Sequence, residues 1–173
     1  NPVLARALST DPGQRAQLIL VSPMVRTMHT AVAGFGDLGI KTELDKNLIE
    51  FANEPTKWEG EAFLRNLGDS GLLDQYERMW KTTEKGFEVD WSSPDDMAGP
   101  ESARLDERVT RFLELVQDRP EERIIVVGHN NYLKSMGIYV KGFGTMVVRI
   151  LGRDGKLRET SPPECWPDQM LVT

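Results

Sequence analysis

The chain has 173 residues, with 21 Lys+Arg against 27 Asp+Glu, a formal net charge of −6, 39% apolar side chains, 15 Gly and 10 Pro. This is the size and balance of one globular domain spanning 1–173, large enough to bury roughly 70% of the surface its unfolded chain exposes. An acidic balance with no block of Lys/Arg argues against a binder that tracks a nucleic-acid backbone, which owes its affinity to phosphate neutralisation.

Apolar runs such as 18–21 and 124–127 fall far short of the ~18 residues a membrane span needs. The first ten residues, NPVLARALST, have neither the basic start nor the apolar centre of a signal peptide. The single cysteine, Cys165, can form no intramolecular disulfide or thiolate cluster. These features predict a cytoplasmic protein without a membrane or nucleic-acid partner. They leave the oligomeric state open.

Turn-forming Asp11-Pro-Gly13 precedes the run 18–22, LILVS, which predicts a strand buried on both faces. From Met24 the period changes. Met24, Met28, Ala31, Val32 and Phe35 recur on one side of a 3.6-residue repeat, and Ser22-Pro23 offers a cap and a first-turn proline. The region 48–100 reads as an insertion carrying Trp58, Trp80 and Trp91, with weak helical patterning over 62–80. Its tryptophans suit packing onto the core, a lid or an interface.

Leu105, Val109, Phe112, Leu113 and Val116 mark an amphipathic helix with Asp106, Glu107, Arg108 and Arg111 expected on its wet side. Asp118-Arg119-Pro120 ends it. The run 124–128, IIVVG, predicts a second buried strand, followed by a helix over 131–140. Last come MVVRIL, the Asp154-Gly155 turn and KLRET, which predict a β-hairpin. Strand alternates with helix, so the class is α/β.

In open parallel sheets, ligands collect at the carboxyl ends of strands, beside helix N-termini that favour anions. Two such ends are present: Ser22-Pro23-Met24-Val25-Arg26, and Gly128-His129-Asn130-Asn131. If the two strands are close in the sheet, Arg26, His129 and Asn131 face one crevice. Arginine brings a planar fork of donors matched to phosphate, histidine a donor that can carry charge, and asparagine a neutral amide. The plain readings are a surface salt bridge for Arg26 and a satisfied structural imidazole for His129. His29, inside the first helix, reads as a packed or exposed spacer. No H-E-x-x-H, P-loop or G-x-S-x-G pattern occurs.

SPMVRTMHTA at 22–31 resembles the S-P-L-x-R-x-x-x-T-A segment of the histidine phosphatase superfamily, the phosphoglycerate mutase-like enzymes. RIIVVGHNNYLKSMG at 123–137 resembles that family's strand ending in H-G-N/G-x-L, with His129, Asn131 and Leu133 at the matching positions. The likeness covers about 18–149. It implies a three-layer α/β sandwich with a mostly parallel central sheet, helices on both faces and the 48–100 insertion between the motifs.

The resemblance also implies that Ser22, Arg26, His129 and Asn131 bind the phosphoryl group of a small phosphorylated substrate, or inorganic phosphate, and that His129 takes part in catalysis. Leu48-Ile49-Glu50 is similar to the family's L-x-E, which makes Glu50 the implied proton donor. Glu54, Glu59 and Glu61 lie close by, and a solvated loop carboxylate is the plain alternative for Glu50. No metal and no other cofactor is implied.

Family members open on a strand ending in R-H-G, whose histidine is the nucleophile, and this sequence contains no R-H-G. Either that strand precedes Asn1, or the protein lacks the nucleophile. The first case implies a phosphomonoesterase working through phosphohistidine. The second implies an inactive pseudo-phosphatase that serves as an anion-binding or regulatory domain.

Overall fold

The computed structural model describes residues 9, 11, 13, 15–22, 24–50, 65, 67–75, 101–138, 148–152, 154–159 and 170–172. In chain order its elements are β1 (Leu18–Val21), α1 (Val25–Phe35), β2 (Lys41–Leu44), a 3-10 turn (Lys46–Leu48), α2 (Glu101–Gln117), β3 (Arg123–Val127), α3 (Asn130–Ser135), β4 (Val148–Leu151), β5 (Leu157–Glu159) and β6 (Met170–Val172). They form a mixed α/β structure around one sheet of order β2-β1-β3-β6-β4-β5. β2, β1, β3 and β6 pair in parallel, while β4 runs antiparallel to β6 and β5.

The unbroken apolar runs of β1 and β3 follow from burial on both faces. Side chains alternate along a strand, so Ile19, Val21, Ile125 and Val127 join Met28, Ala31 and Val32 of α1 in one core. Leu18, Leu20, Ile124 and Val126 pack instead with Val109, Phe112 and Val116 of α2 and Tyr132 of α3. Helices thus cover opposite faces of the parallel part.

Register puts the carboxyl ends of β2, β1 and β3 level. Leu18 aligns with Ile124 and Val21 with Val127, and the Ser22 amide donates to the Val127 carbonyl at 2.9 Å. On the other side of β1, Val21 aligns with Leu44, and the Asp45 amide donates to the Val21 carbonyl at 2.9 Å. Three carboxyl ends therefore finish side by side at Asp45, Ser22 and Gly128.

Three expectations are revised. Ser22 does not cap α1: the N-cap is Met24, in extended conformation and with no side-chain cap bond. Ser22 lies upstream of that N-cap, and Thr27 turns its hydroxyl onto the Ser22 and Met24 carbonyls at 2.8 and 2.7 Å. The helix expected over 131–140 ends at Ser135. Gly137 adopts φ +76°, and the amides of Gly137 and Ile138 close back on the Lys134 and Leu133 carbonyls, the left-handed C-terminal stop. Arg108, expected on the wet side of α2, turns inward. Asp106, Glu107 and Arg111 are exposed, whereas Arg108 is half-buried and reaches the Ile49 carbonyl at 2.7 Å.

The expected hairpin forms, with Ile150 opposite Arg158 and Gly155 at φ +72°. β2 and β6 have no counterpart among the expected elements, and β6 occupies the place next to β3 on the side away from β1. Within 62–80, helical backbone is found at 65, 67–69 and 73–75. Trp58, Trp80, Trp91, Glu54, Glu59, Glu61 and Cys165 lie outside the described residues. Among the described residues no helix is long and apolar enough to cross a membrane.

Candidate anion site at the strand ends

The two sequence motifs meet because β1 and β3 are neighbours. Each strand hands over to a helix through a residue in extended conformation, Met24 before α1 and His129 before α3. His129 is only 5% exposed and Ser22 is fully buried. The imidazole Nε2 lies 2.8 Å from the Ser22 hydroxyl, joining residues separated by more than half the chain.

A neutral imidazole carries one N–H and serine one O–H, and a single hydrogen bond between them consumes one hydrogen. Whichever group donates, the pair keeps one hydrogen for an acceptor outside it. Burial, followed by the charges of Arg26 and then Arg108, lowers the His129 pKa to about 3. The imidazole is therefore neutral at physiological pH in the absence of an anion. A dianion beside it would offset the two guanidinium charges and favour its protonation.

Arg26 is exposed on the first turn of α1. A cation there opposes the positive end of the helix dipole, and that first turn holds no acidic residue to offset it. The first turn of α3 holds none either, in a chain that carries 27 acids. Neither helix supplies an acid of its own to offset the positive potential at this rim, and the carboxylate that reaches the α3 end is Glu50, from the segment after β2. Asn131 is exposed on α3 and His29 half-buried on α1.

Glu50 is half-buried just beyond the 3-10 turn, and its Oε1 accepts the Tyr132 backbone N–H at 3.1 Å. The segment after β2 is thereby tied to the first turn of α3, two residues beyond Asn130. Ser22, Arg26, His129, Asn131 and Glu50 thus all belong to segments leaving the same edge of the sheet.

Three further residues stand here without having been singled out by sequence. Arg108 fits the inward stripe of α2, three residues after Leu105 and four before Phe112, a spacing that could have shown it. Asp45 is buried, which raises its pKa. Its Oδ1 accepts from the Asn47 amide and side chain, both at 2.8 Å, while Oδ2 is buried without a hydrogen-bond partner among the described residues. The Asn130 Oδ1 is in the same condition. Nothing in the sequence marks either oxygen, since both depend on how neighbouring loops pack. Among the described residues, no group of three or more His, Cys, Asp or Glu is arranged to hold a metal ion.

Residues 4–149 match the family model of the histidine phosphatase superfamily (branch 1), a stretch that includes both strand-to-helix junctions and the segment carrying Glu50. No curated protein and no solved structure matches the chain. Since the match spans well over half of the 173 residues, the chain belongs to the histidine phosphatase superfamily.

Proposed function

We propose that the chain is the anion-binding and proton-donating part of a phosphomonoesterase that acts on a small phosphorylated metabolite through a phosphohistidine intermediate. Membership in the superfamily points to phosphatase- or mutase-type activity. The observation that carries the finer reading is the 2.8 Å contact between His129 and Ser22, with the Arg26 charge acting on the same imidazole.

In this reading Arg26, Asn131 and the His129–Ser22 pair hold the phosphoryl oxygens, with Ser22 acting through the imidazole. Fixed donors aimed at charge in transit are the main contribution a protein makes to phosphoryl transfer. A nucleophilic histidine forms the N–P bond as the ester P–O bond breaks, and Glu50 gives its proton to the leaving oxygen. Water then attacks phosphorus, the Glu50 carboxylate takes the water proton, and the N–P bond breaks to release phosphate. The scheme calls on no metal. The nucleophile comes from an R-H-G segment that these residues do not include. Residues 48–100 act as a lid on a single domain spanning 1–173, and the lone cysteine supports a cytoplasmic setting.

A binding-only reading is favoured by one observation. The chain has two histidines: His29 stands within α1 and His129 is engaged with Ser22. The test is hydrolysis of an aryl phosphate together with trapping of acid-labile phosphate on histidine. Turnover with trapped phosphate is expected of the phosphatase. Phosphate binding without either result would leave the anion-binding domain.

A further inference from the structure

The segment bearing Glu50 has a second anchor in addition to its hydrogen bond to α3. Arg108, on α2, donates from Nη1 to the Ile49 carbonyl at 2.7 Å, one residue before Glu50. Its guanidinium carbon lies 5.6 Å from the centre of the Tyr132 ring, within cation–π range. Tyr132 is fully buried, sits edge-on to Phe112 at 6.3 Å, and brings its hydroxyl to 3.4 Å from the Arg108 carbonyl. The backbone N–H of the same Tyr132 donates to Glu50 Oε1.

We propose that Arg108 is a positioning residue for Glu50, fixing the main chain before the carboxylate and the aromatic residue whose amide holds it. The inference rests on the proton-donor reading of Glu50. Two anchors are needed because a carboxylate on a short surface segment otherwise samples many rotamers, and a general acid misplaced by about an ångström loses a large part of its effect. The planar fork of arginine suits both contacts, since one edge donates to a carbonyl while the face covers a ring. Tyr132 stands three residues after the N-cap His129, in the first turn of α3, so the clamp closes on the helix that the imidazole precedes.

The test compares the full-length protein, any R-H-G segment included, with its Arg108→Gln, Arg108→Lys, Glu50→Ala and Glu50→Gln variants. Amide hydrogen exchange at Tyr132 is expected to accelerate at least tenfold in Arg108→Gln and in Glu50→Ala, which removes the acceptor, with Val126 in β3 unchanged. Arg108→Lys, which keeps a donor and a charge, is expected to restore part of the protection. Unaltered exchange at Tyr132, or equal acceleration at Val126, would overturn the proposal.

On aryl phosphates with poor leaving groups, kcat is expected to fall at least tenfold in Arg108→Gln, with KM within twofold and activated esters less affected. Combining it with Glu50→Gln should add nothing further. Independent, multiplying losses or a change in KM alone would contradict the clamp. A full-length wild-type protein, any R-H-G segment included, without turnover would defeat the proton-donor reading, and the exchange data would still decide whether Arg108 holds the Glu50 segment.

Discussion

The β1–α1 and β3–α3 junctions share a grammar and use it differently. Both run from a buried apolar strand through an extended N-cap with no side-chain cap bond into a helix whose first turn holds no acid. At β1–α1 the side chain proposed to bind the anion is Arg26, two positions past the N-cap and exposed; at β3–α3 it is His129, the N-cap itself and buried. In the proposed site the exposed cation serves the ligand at some cost to its own helix. The buried imidazole is tied into the fold through Ser22. Loss of the two groups should therefore damage binding alike and stability differently.

The largest effect is expected at the buried junction. His129→Ala should weaken inorganic phosphate binding about 100-fold or more, by the measure of a lost oxyanion donor. It should also lower the unfolding free energy by about 1–3 kcal/mol, because the Ser22 hydroxyl is left buried and unpartnered. Calorimetry and urea unfolding measure the two.

Arg26→Ala comes next. Phosphate affinity should fall about 10- to 100-fold, the range of a hydrogen bond to a charged group, while unfolding stability stays level or rises by up to about 1 kcal/mol as the dipole conflict is relieved. A stability loss as large as that of His129→Ala would erase the contrast.

Acid separates the groups by pH window. The His129 imidazole is held at about 3 against an ordinary 6.5, so the unfolded chain binds a proton that the folded chain refuses. Stability should decline as pH falls below 6.5 toward 3, and His129→Gln should flatten the slope through the upper part of that window. Glu43 contributes lower down. Its hydrogen bond to Arg119, outweighing desolvation and helped by Lys41, holds it at about 2 against 4.5, so its contribution is present above 4.5 and is lost as pH falls through 2. The smallest effect is expected there: Glu43→Gln removes a partly exposed ion pair, should cost about 1 kcal/mol or less, and should leave phosphate affinity within twofold.

The parallel core is legible because LILV and IIVV are too uniformly apolar for a one-sided sheet, and that uniformity is what a strand packed on two faces requires. The same runs locate the two junctions. β2, KTEL, gives no such signal because an edge strand need not be apolar: Lys41 and Glu43 pair with each other at 2.8 Å and with Glu121 and Arg119. Serine before proline reads as a cap, whereas here a histidine 107 residues away engages the Ser22 hydroxyl. Charge makes Arg108 read as solvated, although its helical spacing aligns it with Leu105 and Phe112. Local pattern can find the strand ends; which polar groups meet across them is a tertiary fact.

The central claim is that Arg26 and His129 act on one anion. With two histidines in the chain, the imidazole ¹⁵N spectrum holds both the reporter and, in His29, a control. Titrating inorganic phosphate should move the His129 ring nitrogens toward the protonated form while His29 stays in place, and Arg26→Ala should shift the midpoint at least tenfold to higher phosphate. A His129 signal that ignores saturating phosphate, or a midpoint that ignores Arg26→Ala, would contradict it.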